Sequence, residues 1–359
     1  MSKRSMLHAK NLSATVLGLV LVLIGIEREA MAVEGMNAEK IATKKILFLG
    51  DSITYGGHYV ELFELAIRSR FPEKKNTILN LGLSSETVSG LSEDGHAGGR
   101  FPRPDLFERL DRVLNQVKPE VVFTCYGMNC GIYKPLSSNN LVTYVERYKK
   151  LVETVKRVGA EIVIVTPPAF DPLPIINRTS KNGIGGPFSG YDSVLQTFSL
   201  ALENEFQSDQ LVININTPMT QYVLQKRISD PSYSLARDGV HMNALGHTIT
   251  FEQILDKLGL AEIDGPPIVL PKNNAIPENY LKYFDNKYNS GPIATRSERN
   301  NQLNDKIFKL IKEKQRILKD AWLTKTGHKR PGVRKLEPFH QWITKANAIE
   351  NSIRELLPE

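Results

Sequence analysis

Between Lys44 and Leu260, short apolar, β-branched runs alternate with longer stretches of helical periodicity, and this alternation constrains the fold more than any other feature of the chain. A strand that is apolar along its whole length, not only at every second residue, has both faces covered. That is the pattern of a parallel sheet with helices on each side. The strand candidates are Ile46–Leu49, Thr77–Leu81, Val121–Tyr126, Ile162–Thr166 and Val212–Ile215. Helix candidates follow at Tyr59–Arg70, Asp105–Val117, Leu141–Val158, Tyr191–Phe206 and Pro218–Ile228, and Ala244–Leu258 closes the unit. The spacing predicts an α/β fold, a three-layer α/β/α sandwich around a parallel sheet of about five strands.

In open α/β sheets, sites collect beyond the carboxyl ends of the strands. Gly50-Asp51-Ser52-Ile53-Thr54 follows the first strand candidate, which puts a serine at a strand-to-helix turn with its hydroxyl exposed and its N–H near a helix start. Asn80-Leu81-Gly82 ends the second, where a glycine lets backbone approach closely. Gly127-Met128-Asn129 closes the third, where a held carboxamide is a hydrogen-bond donor for a developing oxyanion. Asp238-Gly239-Val240-His241 precedes the closing helix and pairs a histidine with a carboxylate three residues earlier. Taken singly, each has an ordinary reading: a helix cap, a turn glycine, a turn asparagine, a surface histidine beside a capping aspartate. Together they stand in order at the places where a serine hydrolase needs them.

On these four blocks the chain resembles the SGNH (GDSL-type) hydrolase family over about 44–260. The resemblance implies Ser52 as nucleophile, His241 as general base and then acid, and Asp238 orienting the imidazole. The backbone N–H groups of Ser52 and Gly82 and the side chain of Asn129 would form the oxyanion hole. Two positions depart from the family pattern: Cys130 follows the asparagine where aspartate is common, and Met242 follows the histidine where proline is common. The family analogy implies hydrolysis of an O-acyl ester, with acetyl groups on a carbohydrate as the leading substrate and a small-molecule or glycan ester as partner. A lipid esterase or lysophospholipase is the rival within the class, and a noncatalytic glycan-binding protein on the same scaffold is the rival outside it. No metal or organic cofactor is implied.

The polar, glycine-rich insertion after Gly82 supplies Glu86, His96 and Arg100 as candidate substrate contacts near the mouth of the site. His247 reads as structural, and the long loop from Pro167 to Gly190 reads as a cleft wall, a lid or a plain surface excursion. The only cysteines, Cys125 and Cys130, rule out a multi-bridge scaffold; they are close enough in sequence to pair, but Cys125 lies in an apolar strand-like run and a buried free thiol is the leading reading.

Residues 1–32 carry basic Lys3, Arg4 and Lys10, an apolar run from Val16 to Ile26, and Ala30-Met31-Ala32, the pattern of a cleaved export signal. The expectation is an exported protein, periplasmic or extracellular, with no stable membrane insertion once the leader is removed. Beyond Leu260, Gly265-Pro266-Pro267 and Pro271 mark a linker. Charged helical sequence at Asn301–Ala321 and Glu337–Leu357 then suggests a C-terminal helical appendage over 268–359 that packs on the catalytic domain. The formal charge of +7 is spread along the chain and thickens in this part, so it reads as solvated helix faces and not as a nucleic-acid surface. Nothing in the sequence bears on oligomeric state.

Overall fold

The computed structural model describes residues 36–260 and 298–357; the leader-like segment 1–32 and the Gly265–Pro271 linker lie outside the described residues. Among the described residues the five strands are β1 Lys45–Gly50, β2 Thr77–Asn80, β3 Val121–Cys125, β4 Glu161–Val165 and β5 Leu211–Ile213. They form one sheet in the order β2-β1-β3-β4-β5, parallel throughout. The order reverses direction at β1 and β3, whose carboxyl ends Gly50 and Cys125 are register partners, so the crevice of a doubly wound sheet opens where Ser52 begins.

The helices are α1 Ala38–Ile41, α2 Ser52–Gly56, α3 His58–Arg70, α4 Leu110–Val117, α5 Ser138–Arg157, α6 Tyr191–Phe206, α7 Asn216–Arg227, α8 Ala244–Lys257, α9 Glu298–Thr326 and α10 Phe339–Leu356. The expected helix over Asp105–Val117 splits. Asp105 caps a single 3-10 turn, Leu106–Glu108, before α4 begins at Leu110. At the junction Arg109 leaves helical geometry with φ −124° and sends its guanidinium into the core, where it meets Glu86 at 2.6 Å and the Leu81 carbonyl at 2.7 Å.

The core is a single cluster. It runs from Ile46, Leu47, Phe48 and Leu49 of β1 through Phe63 and Phe123 to Ile307, Phe308, Ile311 and Ile317 of α9 and Ala346, Ile349 and Ile353 of α10. The C-terminal helices pair with each other, and α9 packs on α3 and the edge strand β2. They therefore cover the exposed side of an edge strand.

Charge holds this junction as well. Glu64 of α3 is fully buried and accepts from Arg68 Nε at 2.8 Å, from Gln315 Nε2 at 2.5 Å and from Lys314 Nζ. Arg68 in turn makes a two-pronged pair with Glu350 of α10, Nη1 to Oε1 at 2.9 Å and Nη2 to Oε2 at 2.8 Å. Cys125 and Cys130 are buried free thiols.

Candidate active site

The site grows from the end of β1. Gly50 is required there because a Cβ would lie 2.0 Å from Thr54 Oγ1 and 2.7 Å from the Cys125 carbonyl oxygen. Asp51 caps α2, its carboxylate accepting from the Ile53 N–H at 2.9 Å, and Ser52 is the first helical residue. The Ser52 N–H thus has no acceptor within the helix. Burial raises the Asp51 pKa to about 6, against the pull of the Ile53 N–H, His241 and Arg103.

The serine, histidine and aspartate meet. Ser52 Oγ is 2.8 Å from His241 Nε2, and His241 Nδ1 is 2.7 Å from Asp238 Oδ2. The other Asp238 oxygen accepts from the backbone N–H of His241 at 2.7 Å and of Val240 at 3.0 Å, which fixes the turn that carries the imidazole. Burial pushes the Asp238 pKa up, but the hydrogen bonds from His241 and Val240 outweigh it and hold it below the usual value. The turn needs Gly239: its φ is +79°, and a Cβ would stand 2.5 Å from the Asp171 carbonyl oxygen. Asp171 N–H donates back to the Gly239 carbonyl at 2.9 Å, so the loop after β4 braces the histidine turn. The side chains of His241 and Asp238 are 53% and 50% exposed, which leaves the site open to bulky substrates.

Asn129 is buried in the turn after β3. Tyr191, at the start of α6, pins that turn, its hydroxyl donating to the Met128 carbonyl at 2.9 Å and accepting from the Gly131 N–H at 3.1 Å. Asn129 Nδ2 donates to the Glu86 carbonyl at 3.3 Å, which uses one of its two protons. Cys130, in the place of the family's aspartate, is buried below it, its N–H bonded to the Gly127 carbonyl at 2.9 Å.

Gly82 sits elsewhere in the scheme than expected. Its N–H is committed to Asn80 Oδ1 at 2.9 Å and so does not face a reacting oxygen. A Cβ at Gly82 would approach Tyr55 N to 2.4 Å and Thr54 C to 2.7 Å, so the glycine is there to let the β2 end lie against the backbone of α2. Three residues on, Ser85 has a φ of +68°. A non-glycine residue in that region marks a constrained backbone.

The three insertion residues separate. Glu86 is fully enclosed, its carboxylate spent on Arg109 at 2.6 and 2.7 Å and on the Tyr126 hydroxyl at 2.6 Å; it braces the loop and cannot touch a substrate. His96 is half-buried at the rim, with Nδ1 3.1 Å from Glu93 and its ring edge-on to Phe101. Burial and the nearby Arg103 lower its pKa, against the pull of Glu93. Arg100 is exposed and donates to the Ala97 carbonyl at 2.8 Å. Arg103, absent from the sequence reading, donates to Asn129 Oδ1 at 2.8 Å.

The appendage also reaches this rim. Arg330, in the loop between α9 and α10, donates to the Ser84 carbonyl at 3.1 Å and lies 4.9 Å over the Phe101 ring, while Lys319 donates to the Tyr55 carbonyl at 2.5 Å. His247 is buried with its ring 6.0 Å from that of Tyr59, and burial, with His58 and His241 adding to it, pushes its pKa down to about 3. A cavity of about 540 Å³ opens between the start of β2 and helices α9 and α10, and none of Ser52, Asp238 and His241 lines it.

A family model described as GDSL-like lipase/acylhydrolase matches residues 48–249. Among solved structures, a gut microbial diltiazem-metabolizing enzyme is similar with a TM-score of 0.62 and 14% identity, over 87% of this chain and 95% of that one. A catalytic mutant of an acetylxylan esterase from Geobacillus stearothermophilus is similar at 20% identity and a TM-score of 0.44, over 60% of this chain and 94% of that one. A search of curated protein sequences finds no match.

Proposed function

The chain belongs to the GDSL-like lipase/acylhydrolase family, and on that premise we propose that it is a serine esterase hydrolysing O-acyl esters, acetyl esters of carbohydrate foremost, through an acyl-enzyme on Ser52. The observation that carries this reading is the unbroken relay from Ser52 Oγ to His241 Nε2 at 2.8 Å and from His241 Nδ1 to Asp238 Oδ2 at 2.7 Å. Asp238 holds the proton on Nδ1, which leaves Nε2 as acceptor for the serine proton. Ser52 Oγ attacks the carbonyl carbon as its proton passes to His241. The tetrahedral oxyanion takes hydrogen bonds from the Ser52 N–H and the free N–H of Asn129. Collapse breaks the ester C–O bond, and His241 gives its proton to the departing alcohol. Water then repeats the sequence and releases the acid.

The polar rim formed by His96, Arg330 and Lys319 and the open approach to His241 support a hydrophilic, bulky alcohol. The lipid-esterase reading draws on one specific observation: exposed Leu173, Ile176 and Ile184 on the loop whose Asp171 braces the histidine turn. Hydrolysis of p-nitrophenyl acetate, butyrate and octanoate by the protein lacking residues 1–32, beside Ser52→Ala, decides between them. The proposal requires turnover that is lost in Ser52→Ala and falls with chain length. A rise with chain length favours the lipid reading, and no turnover by folded protein removes the esterase claim.

The proposal includes export through residues 1–32, supported by their sequence pattern. Mass analysis of the exported chain should find it beginning at Val33; a chain retained in the cytoplasm with residues 1–32 intact contradicts it.

A further inference from the structure

The insertion after Gly82 brings a buried cation to the catalytic asparagine. Arg103 is 8% exposed, and its guanidinium bridges two partners. Nε and Nη2 donate to the two oxygens of Glu93 at 2.6 Å each, and Nη1 donates to Asn129 Oδ1 at 2.8 Å. The Tyr133 hydroxyl donates to the same Oδ1 at 3.3 Å, and Arg103 stands 5.3 Å over the Tyr133 ring. At the other end of the carboxamide, Nδ2 faces the Glu86 carbonyl at 3.3 Å. This surround admits one orientation only. Turning the amide over would set its N–H groups against those of Arg103 and its oxygen against a carbonyl oxygen.

The two ends of a carboxamide are coupled by resonance. A cation hydrogen-bonded to the oxygen draws electron density from the nitrogen, so the N–H groups become stronger donors. Glu93 neutralises the guanidinium and fixes its plane, so Arg103 is held without an unpaired buried charge. Serving the loop alone would occupy Arg103 with Glu93; the third donor aimed at Asn129 needs a separate reason. We propose that Arg103, clamped by Glu93, is a positioning residue that orients and polarises the Asn129 carboxamide for oxyanion stabilisation. The inference rests on Asn129 being an oxyanion donor, as read above.

The test is a double-mutant cycle on p-nitrophenyl acetate hydrolysis with Arg103→Met, Asn129→Ala and the pair, each checked for its melting transition. Loss of an oxyanion donor lowers kcat by roughly 100- to 1,000-fold, and Arg103→Met should lower it by about 10- to 100-fold with KM within about twofold. In the Asn129→Ala background Arg103→Met should cost little more, because both changes remove the same interaction. Arg103→Lys should recover only part of kcat, since an ammonium lacks the planar fork that reaches both Glu93 and Asn129. Wild-type kcat in Arg103→Met, or its full cost persisting without Asn129, overturns the inference. If Asn129→Ala keeps wild-type kcat while Ser52→Ala is inactive, the oxyanion reading of Asn129 is what has failed. Should Arg103→Met not fold, Glu93→Gln loosens the same clamp with an isosteric group. It should lower kcat several-fold only when Asn129 is present, and an equal loss in both backgrounds counts against the proposal.

Discussion

Replacing Glu64 by glutamine should unfasten the C-terminal helices from the sheet. Burial alone would raise the Glu64 pKa, but Lys314, Arg68 and the hydrogen bond from Gln315 overcome it and pull it from 4.5 to about 2. A difference of that size between unfolded and folded chain corresponds to about 3 kcal/mol of stability at neutral pH. Because the folded value is depressed, this contribution is complete above the unfolded pKa of 4.5 and disappears as pH falls toward about 2. Glu64→Gln leaves Arg68 and Lys314 with Glu350 as their remaining carboxylate. Breaking a buried pair from one side costs roughly 3–5 kcal/mol. At about 2–4 °C per kcal/mol for a chain of this order of size, the melting temperature should fall by roughly 6–20 °C at neutral pH. Calorimetry of both proteins at neutral pH and near pH ~3 should show the gap narrowing in acid as the wild type loses the same interaction. Equal melting temperatures at neutral pH, or a gap that widens in acid, would refute the reasoning.

Two further outcomes follow from single residues at the site. Asp51 is raised from 3.8 to about 6, so its folded form is favoured below 3.8 and that advantage is lost as pH rises through about 6. Asp51→Asn keeps the cap acceptor without the buried charge and should stabilise the protein by on the order of 1–3 kcal/mol above pH ~7, with no gain near pH ~3; denaturant melts at the two pH values check this, and a destabilised variant at high pH contradicts it. Gly239→Ala forces a side chain into a φ of +79° and against the Asp171 carbonyl, so kcat should drop at least about tenfold by shifting the imidazole, with the core and its circular dichroism intact. Wild-type kcat in Gly239→Ala would show that the brace on the histidine turn is dispensable.

What could be read in the sequence was what local pattern carries. The apolar runs Ile46–Leu49 and Val121–Tyr126 are buried on both faces, so they read as parallel strands and fall on β1 and β3. Ser52, Asp238 and His241 stand in local motifs, and the structure brings their side chains together. Gly82 was found for a reason other than its own: close approach to Tyr55 and Thr54 demands a glycine as firmly as a donor role would. Pairings across long sequence separations leave no local mark. Glu86, in a polar stretch, looks solvated until Arg109 turns inward at the break before α4, and Arg103 reaches Asn129 26 residues on. Glu64 and Lys314 stand 250 residues apart, so nothing nearby in either segment announces their pairing.

The central claim, that Ser52 is a nucleophile activated by His241, is tested most directly by covalent capture. The protein is treated with a fluorophosphonate, its intact mass is measured, and the modified peptide is mapped. The account predicts one phosphonyl group per chain, carried on Ser52, absent from Ser52→Ala and acquired much more slowly by His241→Ala. Labelling at another residue, or undiminished ester hydrolysis by Ser52→Ala, would contradict it.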